Sequence, residues 1–192
     1  VSGLAFILSV LLTLPELSVS WSRPGGYDAV MVSVRGFDQV SEQCFKSGLE
    51  LRYRYELRVC RTASFWYDRC GSNRIIMRSS QWDPTHETFK VITDRLGDAK
   101  GPEVVTYSDP EEARKRLSLI NEVKLGETFA SDADLLAERR RYLQVRLLTQ
   151  CKGVSNQTVE RLSYFLSLGM VRTNGFDSGW ISFNLDQPAP GQ

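Results

Sequence analysis

Residues 49–60, LELRYRYELRVC, constrain the fold more than any other stretch of this chain. Leu49, Leu51, Tyr53, Tyr55, Leu57 and Val59 alternate with Glu50, Arg52, Arg54, Glu56 and Arg58. Side chains of a strand point alternately to opposite faces, whereas a helix of this sequence would scatter its apolar residues all round. The spacing predicts a long antiparallel strand with one buried and one wet face. A chain that contains it must build its core on one side of a sheet.

The remaining pattern supplies neighbours for that strand. Residues 28–35 predict a first strand. Residues 39–47 place Val40, Cys44 and Phe45 at helical spacing, and Gly48 suits the end of such a helix. Residues 74–82 and 88–92 read as a hairpin across the turn formers Asp83 to Glu87. Residues 104–107 follow as a short strand. Asp109, Pro110 and Glu112 mark a helix start, with Ala113, Leu117, Ile120 and then Val123 or Lys124 as its buried stripe. Arg114, Lys115 and Arg116 fall mostly outside that stripe and read as a solvated face. Residues 125–135 are loosely patterned, and a helical turn is expected over 133–140. Residues 142–151 alternate again and predict a strand. Ser155 heads a helix over 156–168 with Val159, Leu162, Phe165 and Leu166 inward. Residues 180–185 form a last strand. Nothing alternates as β-α-β, so a parallel sheet is not expected. The expected class is α+β: an antiparallel sheet, or two packed sheets as in a sandwich, covered by two or three helices.

A chain of 192 residues is about one domain and can bury a full core. We expect one α+β domain over 28–186, a flexible linker at 21–27 and a disordered, proline-rich tail at 187–192. With 24 basic and 23 acidic side chains there is no basic surplus of the kind a nucleic-acid binder shows. Residues 4–14, LAFILSVLLTL, are an unbroken apolar run, too short for the roughly 20 residues of a membrane span. The run fits the core of a signal peptide, expected over 1–20, and Ser18 and Ser20 offer the small residues a peptidase reads for cleavage before Trp21. A buried N-terminal helix and an uncleaved anchor are the competing readings. Export gives meaning to the cysteines, Cys44, Cys60, Cys70 and Cys151. Four cysteines allow three pairings. The short loop favours Cys60 with Cys70, which leaves Cys44 with Cys151; four free, unlinked thiols are the competing reading. No Cys-x-x-Cys supports a redox or zinc-ribbon reading.

Catalytic chemistry finds little purchase. The only histidine, His86, sits among turn residues and reads as solvent-facing. There is no Gly-x-Ser-x-Gly elbow, no phosphate loop and no dinucleotide fingerprint. No metal site and no cofactor are expected. Phe65, Trp66 and Tyr67 are the strongest binding candidates. Three consecutive rings cannot all point inward, and exposed aromatics mark contacts with a partner or a membrane surface, against the plainer reading that the loop folds back and lids one end of the core. Arg52, Arg54 and Arg58 form a second candidate, for an anionic group, against the plainer reading of a face with internal salt links.

The order of these elements, with Ser47-Gly48-Leu49-Glu50-Leu51, Glu56-Leu57-Arg58-Val59, Phe65-Trp66-Tyr67-Asp68 and Trp180-Ile181-Ser182-Phe183, resembles a proteobacterial exported family known as domain of unknown function 4390. The resemblance covers about residues 28–186. It implies a periplasmic accessory role, because members are often encoded beside a membrane sensor histidine kinase of the nitrogen-regulation type. It supplies no catalytic residues, and the cysteines depart from its usual composition. The expectation is an exported, non-enzymatic module that binds an envelope protein, with the sensor kinase as the suggested partner and peripheral membrane contact allowed. A periplasmic carrier of lipid or another apolar ligand is the first alternative, and a carboxylate-dependent hydrolase the second.

Overall fold

The computed structural model describes residues 15–22, 28–37, 39–63, 67–96, 101–137, 139–152 and 175–186. Its centre is β3 (Glu50–Arg61), the strand expected from the alternation. Leu51, Tyr53, Tyr55, Leu57 and Val59 have no exposed surface. On one side β3 pairs along its whole length with β9 (Arg141–Lys152), and on the other with β5 (Arg74–Asp83). The sheet continues outward through β6 (Thr88–Arg95) to β7 (Glu103–Tyr107), and β10 (Ile181–Asn184) borders β9. The two-residue β4 (Arg69–Cys70) pairs with the end of β3. Every pairing is antiparallel.

A second, three-stranded sheet has the order β1 (Glu16–Ser22), β2 (Ala29–Arg35), β8 (Leu119–Lys124). Its Leu17, Val30, Val32, Val34, Ile120 and Val123 join one core with the inward row of β3 and with Leu143, Val145 and Leu147 of β9. The two sheets thus pack as a sandwich, the fold class expected. Helices cover what the sheets leave open. In α1 (Gln39–Lys46), Cys44 and Phe45 point inward, and α2 (Pro110–Ser118) buries Ala113 and Leu117. Short helices α3 (Leu125–Thr128) and α4 (Ala133–Ala137) add Leu125 and Leu135. The rings of Phe37, Phe45, Tyr53, Phe89 and Trp82 contact one another with centroids 4.7–6.4 Å apart. Such pairing suits the edge-on and offset geometries that aromatic quadrupoles favour.

Local signals behave as their chemistry requires. Gly48 ends α1 with φ +69°, a left-handed conformation that costs glycine least. The side chain of Asp109 accepts from the Glu111 amide at 3.0 Å and caps α2. Three expectations need correction. The helix begun at Asp109 does not run to Val123 or Lys124. It stops at Ser118, and the chain turns into β8, where Ile120 faces Val32 and Val123 faces Val30. A register shift between Val30 and Val32 puts both residues, three apart, on the buried side, so a helical spacing was produced by a bulged strand. Residues 16–22, expected within a leader and linker, form β1, paired with β2 from Glu16 opposite Arg35 to Ser22 opposite Ala29. The boundary expected after residue 20 therefore falls inside a strand. Finally, Arg114 is not part of a solvated face. It grips Glu42 of α1 through two bonds of 2.9 and 3.2 Å and lies over Phe37 and Phe45. The helix expected over 156–168, the linker residues 23–27 and the tail at 187–192 lie outside the described residues.

Cys44 and Cys151 lie at bonding distance, 2.02 Å between sulfurs, as do Cys60 and Cys70 at 1.98 Å. The first bond fastens α1 to β9 and the second fastens β4 to β3. Two disulfides with no free cysteine are the pattern of an oxidising, extracytoplasmic compartment. Among the described residues no helix is long and apolar enough to cross a membrane.

Candidate functional site

The chain leaving β3 must turn back to reach β4, and this connection carries the aromatic residues. Both of its ends are fixed. Cys60 and Cys70 sit directly opposite each other and are bonded. The Gly71 amide donates to the Val59 carbonyl at 2.9 Å, and the Thr62 amide donates to the Arg140 carbonyl at 3.1 Å. Asp68 accepts from the Ala63 amide at 3.3 Å, which closes the loop on itself, and from the Tyr142 hydroxyl at 2.5 Å, which ties it to β9. Beyond β4 the Ser72 amide donates to both carboxylate oxygens of Asp132 at 3.3 Å. A Cβ on Gly71 would lie 2.6 Å from that carboxylate, so any larger residue there would have to push the Asp132 side chain aside. Arg69 pairs with Asp134 at 2.9 Å.

From this fixed base Tyr67 stands 92% exposed. A large ring left in water beside a braced backbone loses little further freedom on meeting a partner, which favours binding. Phe65 and Trp66 lie outside the described residues. Next to the loop's base, on the outer face of the large sheet, Tyr142 stands opposite Cys60 and Gln144 opposite Arg58. Arg58 donates through Nε to Gln144 Oε1 at 2.8 Å, and its guanidinium lies 4.2 Å from the ring centroid of Trp180. Gln144 in turn donates to Ser182 Oγ at 3.2 Å. Partial burial, then the hydrogen bond to Asp68 and its charge, push the Tyr142 phenol up to about 12. The phenol stays protonated, and the tie between loop and sheet persists through the neutral range.

The arginine face is organised differently from the loop. Arg52 pairs with Glu50 at 2.5 Å and Arg54 with Glu56 at 2.7 Å. Arg146 reaches Glu56 at 3.8 Å and Asp177 at 2.5 Å, and Lys152 reaches Glu50 at 3.8 Å. The bond to Asp177 outweighs burial and raises the Arg146 guanidinium above its ordinary value. Glu56, expected on the wet face, is only 7% exposed because Arg54 and Arg146 close over it. Arg52 and Arg54 thus have partners within the protein. Arg58, of the three, lies beside the aromatic loop.

His86 occupies the exposed turn between β5 and β6. Its Nδ1 lies 3.0 Å from Asp83 Oδ2, which Lys90 also reaches at 2.5 Å. The bonds from Lys90 and His86 hold the Asp83 carboxyl well below the usual range. Among the described residues no cluster of three or more histidines, cysteines or acids could hold a metal ion. Two arginines each bridge a pair of carboxylates: Arg141 joins Asp28 and Asp186, and Arg146 joins Glu56 and Asp177.

Sequence reasoning found the loop but missed its supports. Asp132 lies in a stretch without clear period, and Tyr142 is 74 residues from the Asp68 it holds. Only the register of β3 on β9 brings that pair together. An aspartate directly after the aromatic run was the one available signal. Comparison with known proteins returns no matching family model, no matching curated protein and no matching solved structure.

Proposed function

We propose that this chain is an exported, non-enzymatic module of the cell envelope that binds a protein partner through the loop carrying Phe65, Trp66 and Tyr67. The observation behind this reading is Tyr67, almost fully exposed on a loop closed at both ends by a disulfide and side-chain anchors. Flexible exposed loops are common, but an exposed ring on a braced loop is a poor arrangement for folding alone and a good one for recognition. Arg58, stacked on Trp180 beside the loop's base, adds an orienting cation. A periplasmic location follows from the export reading of residues 4–14 together with the oxidised cysteines. The resemblance drawn from the motifs suggests the partner, the external part of a sensor histidine kinase.

Binding of the purified external part of such a kinase to the purified module tests the proposal. Replacing Phe65, Trp66 and Tyr67 together by alanine should weaken the complex at least tenfold and leave the melting temperature within about 2 °C. Unchanged affinity removes the loop from the interface. A large fall in melting temperature makes the loop part of the core.

A further inference from the structure

The strand β1 bears on how the N-terminal segment is processed. After the apolar run at 4–14, small residues spaced as a signal peptidase requires occur at Ser18 with Ser20 and at Ser20 with Ser22. The corresponding cuts fall before Trp21 and before Arg23. Within residues 4–14 no two of Ala5, Ser9 and Thr13 stand two apart, so the run contains no such site itself. Both available cuts destroy β1. The first removes Glu16 to Ser20, five of its seven residues, and the second removes all of it. Leu17, buried in the shared core, is lost either way. So is the half-buried Val19 packed against it. The pairs from Glu16 opposite Arg35 to Ser20 opposite Met31 go with them, and the edge of β2 opens to solvent. The hydroxyls of Ser18 and Ser33, 2.7 Å apart, would also be separated.

We infer that the chain is not cut at either site, and that the apolar run stays joined to β1 as a tether to the membrane. The inference rests on the export reading proposed above. A run of eleven uncharged, mostly apolar residues is costly to leave in water, and lipid is the surrounding its chemistry fits. Only Pro15, itself buried, separates the run from the first residue of β1. The small sheet is therefore the part of the domain held closest to the membrane.

The test is the intact mass of the full chain recovered from the envelope of its native cells, with membrane and soluble fractions separated after a high-salt wash. Retention of residues 1–20 in salt-resistant membrane material is the expected result. An oxidised, exported protein beginning at Trp21 or Arg23 overturns the inference and leaves the export reading standing. A soluble exported form beginning nearer Pro15 overturns the tether. Four freely labelled thiols in the cytosol would instead remove the export reading itself. A second measurement compares chains beginning at Pro15 and at Trp21. The former should keep the melting temperature of the full chain, and the latter should melt at least 5 °C lower or fail to fold. Equal melting temperatures overturn the argument from β1.

Discussion

Arg78 shows how much of this fold rests on single side chains facing the unexpected way. It is 2% exposed, on the inward face of β5 between Ile76 and Ser80. Its Nη1 donates to the carbonyls of Arg116 and Leu119, and the Tyr55 hydroxyl donates to the Leu117 carbonyl at 2.7 Å. Two sheet residues thereby satisfy carbonyls that the end of α2 leaves without helical partners, and the positive charge meets the negative end of the helix dipole. Burial pushes the guanidinium down to about 10, still charged at neutral pH. Arg78→Met should therefore cost about 2–4 kcal/mol in urea unfolding, because the carbonyls would remain buried without donors. Tyr55→Phe, which frees a single carbonyl, should cost about 1 kcal/mol. A loss under 0.5 kcal/mol for Arg78→Met would mean that water reaches the helix end. With Ile75 and Met77 on one face and Ile76 on the other, the sequence of β5 does not single out the buried face, and nothing in it says that a charge belongs there. The partner is a helix terminus, not a side chain, and leaves no mark in the pattern. Tyr142 carries a second residue-scale prediction. Its folded phenol titrates near 12 against about 10 for an ordinary tyrosine. Its contribution is complete below pH 10 and lost as pH rises toward 12, since the unfolded chain gives up the proton first. In Asp68→Asn, tyrosinate absorbance should show this phenol titrating closer to 10, though burial keeps it from returning fully. An unchanged titration would deny Asp68 its role in anchoring the loop.

At the scale of elements, the readable parts are those whose information is local. The alternation of residues 49–60 and 142–151 gave strands because period two has one interpretation over ten residues. Asp109 and Gly48 marked helix ends because capping is chemistry between near neighbours. What escaped was tertiary. Ile120 and Val123 match a helix and a bulged strand equally well, and only pairing with β2 decides. Nothing near β1 announces it, since its Ser, Val and Trp residues follow an apolar run that reads as a leader. The disulfides also work at this scale. Cys60–Cys70 closes a separation of 10 residues and Cys44–Cys151 one of 107. In the chain-entropy account a longer closed loop constrains the unfolded state more, roughly 3 kcal/mol for the former and 5 for the latter. Replacing Cys44 and Cys151 by serine should thus lower stability more than replacing Cys60 and Cys70, read as urea midpoints. The reverse order would show that the short bridge holds more of the fold than the loop it closes.

On the scale of the whole molecule, the question is what makes two sheets one unfolding unit. The shared core is one answer. Arg141 is the polar counterpart. It begins β9 in the large sheet, yet its Nη2 holds Asp28, just ahead of β2 in the small sheet, at 3.1 Å. Its Nη1 donates to the Leu136 carbonyl in α4 at 2.6 Å, and its Nε lies 3.5 Å from Asp186 after β10. Asp186 also accepts from the Arg140 amide at 2.5 Å. One guanidinium therefore joins both sheets, a helix end and the segment after the last strand, with its side chain 13% exposed. Pairs this sheltered are screened less than surface ion pairs, and removing one partner strands the other charge. Arg141→Met should cost roughly 2–3 kcal/mol, below the full figure for a buried pair because Asp28 and Asp186 keep some access to water. The more discriminating measurement is a double-mutant cycle with Asp28→Asn. A coupling of about 1 kcal/mol or more would place the two residues in one interaction that crosses the sandwich. Additive losses would leave the joining of the sheets to the apolar core alone. Amide exchange in β2 then separates the two cases further. If Arg141 clasps the sheets, β2 in Arg141→Met should exchange through openings that leave β3 protected, while the unaltered protein opens both strands together.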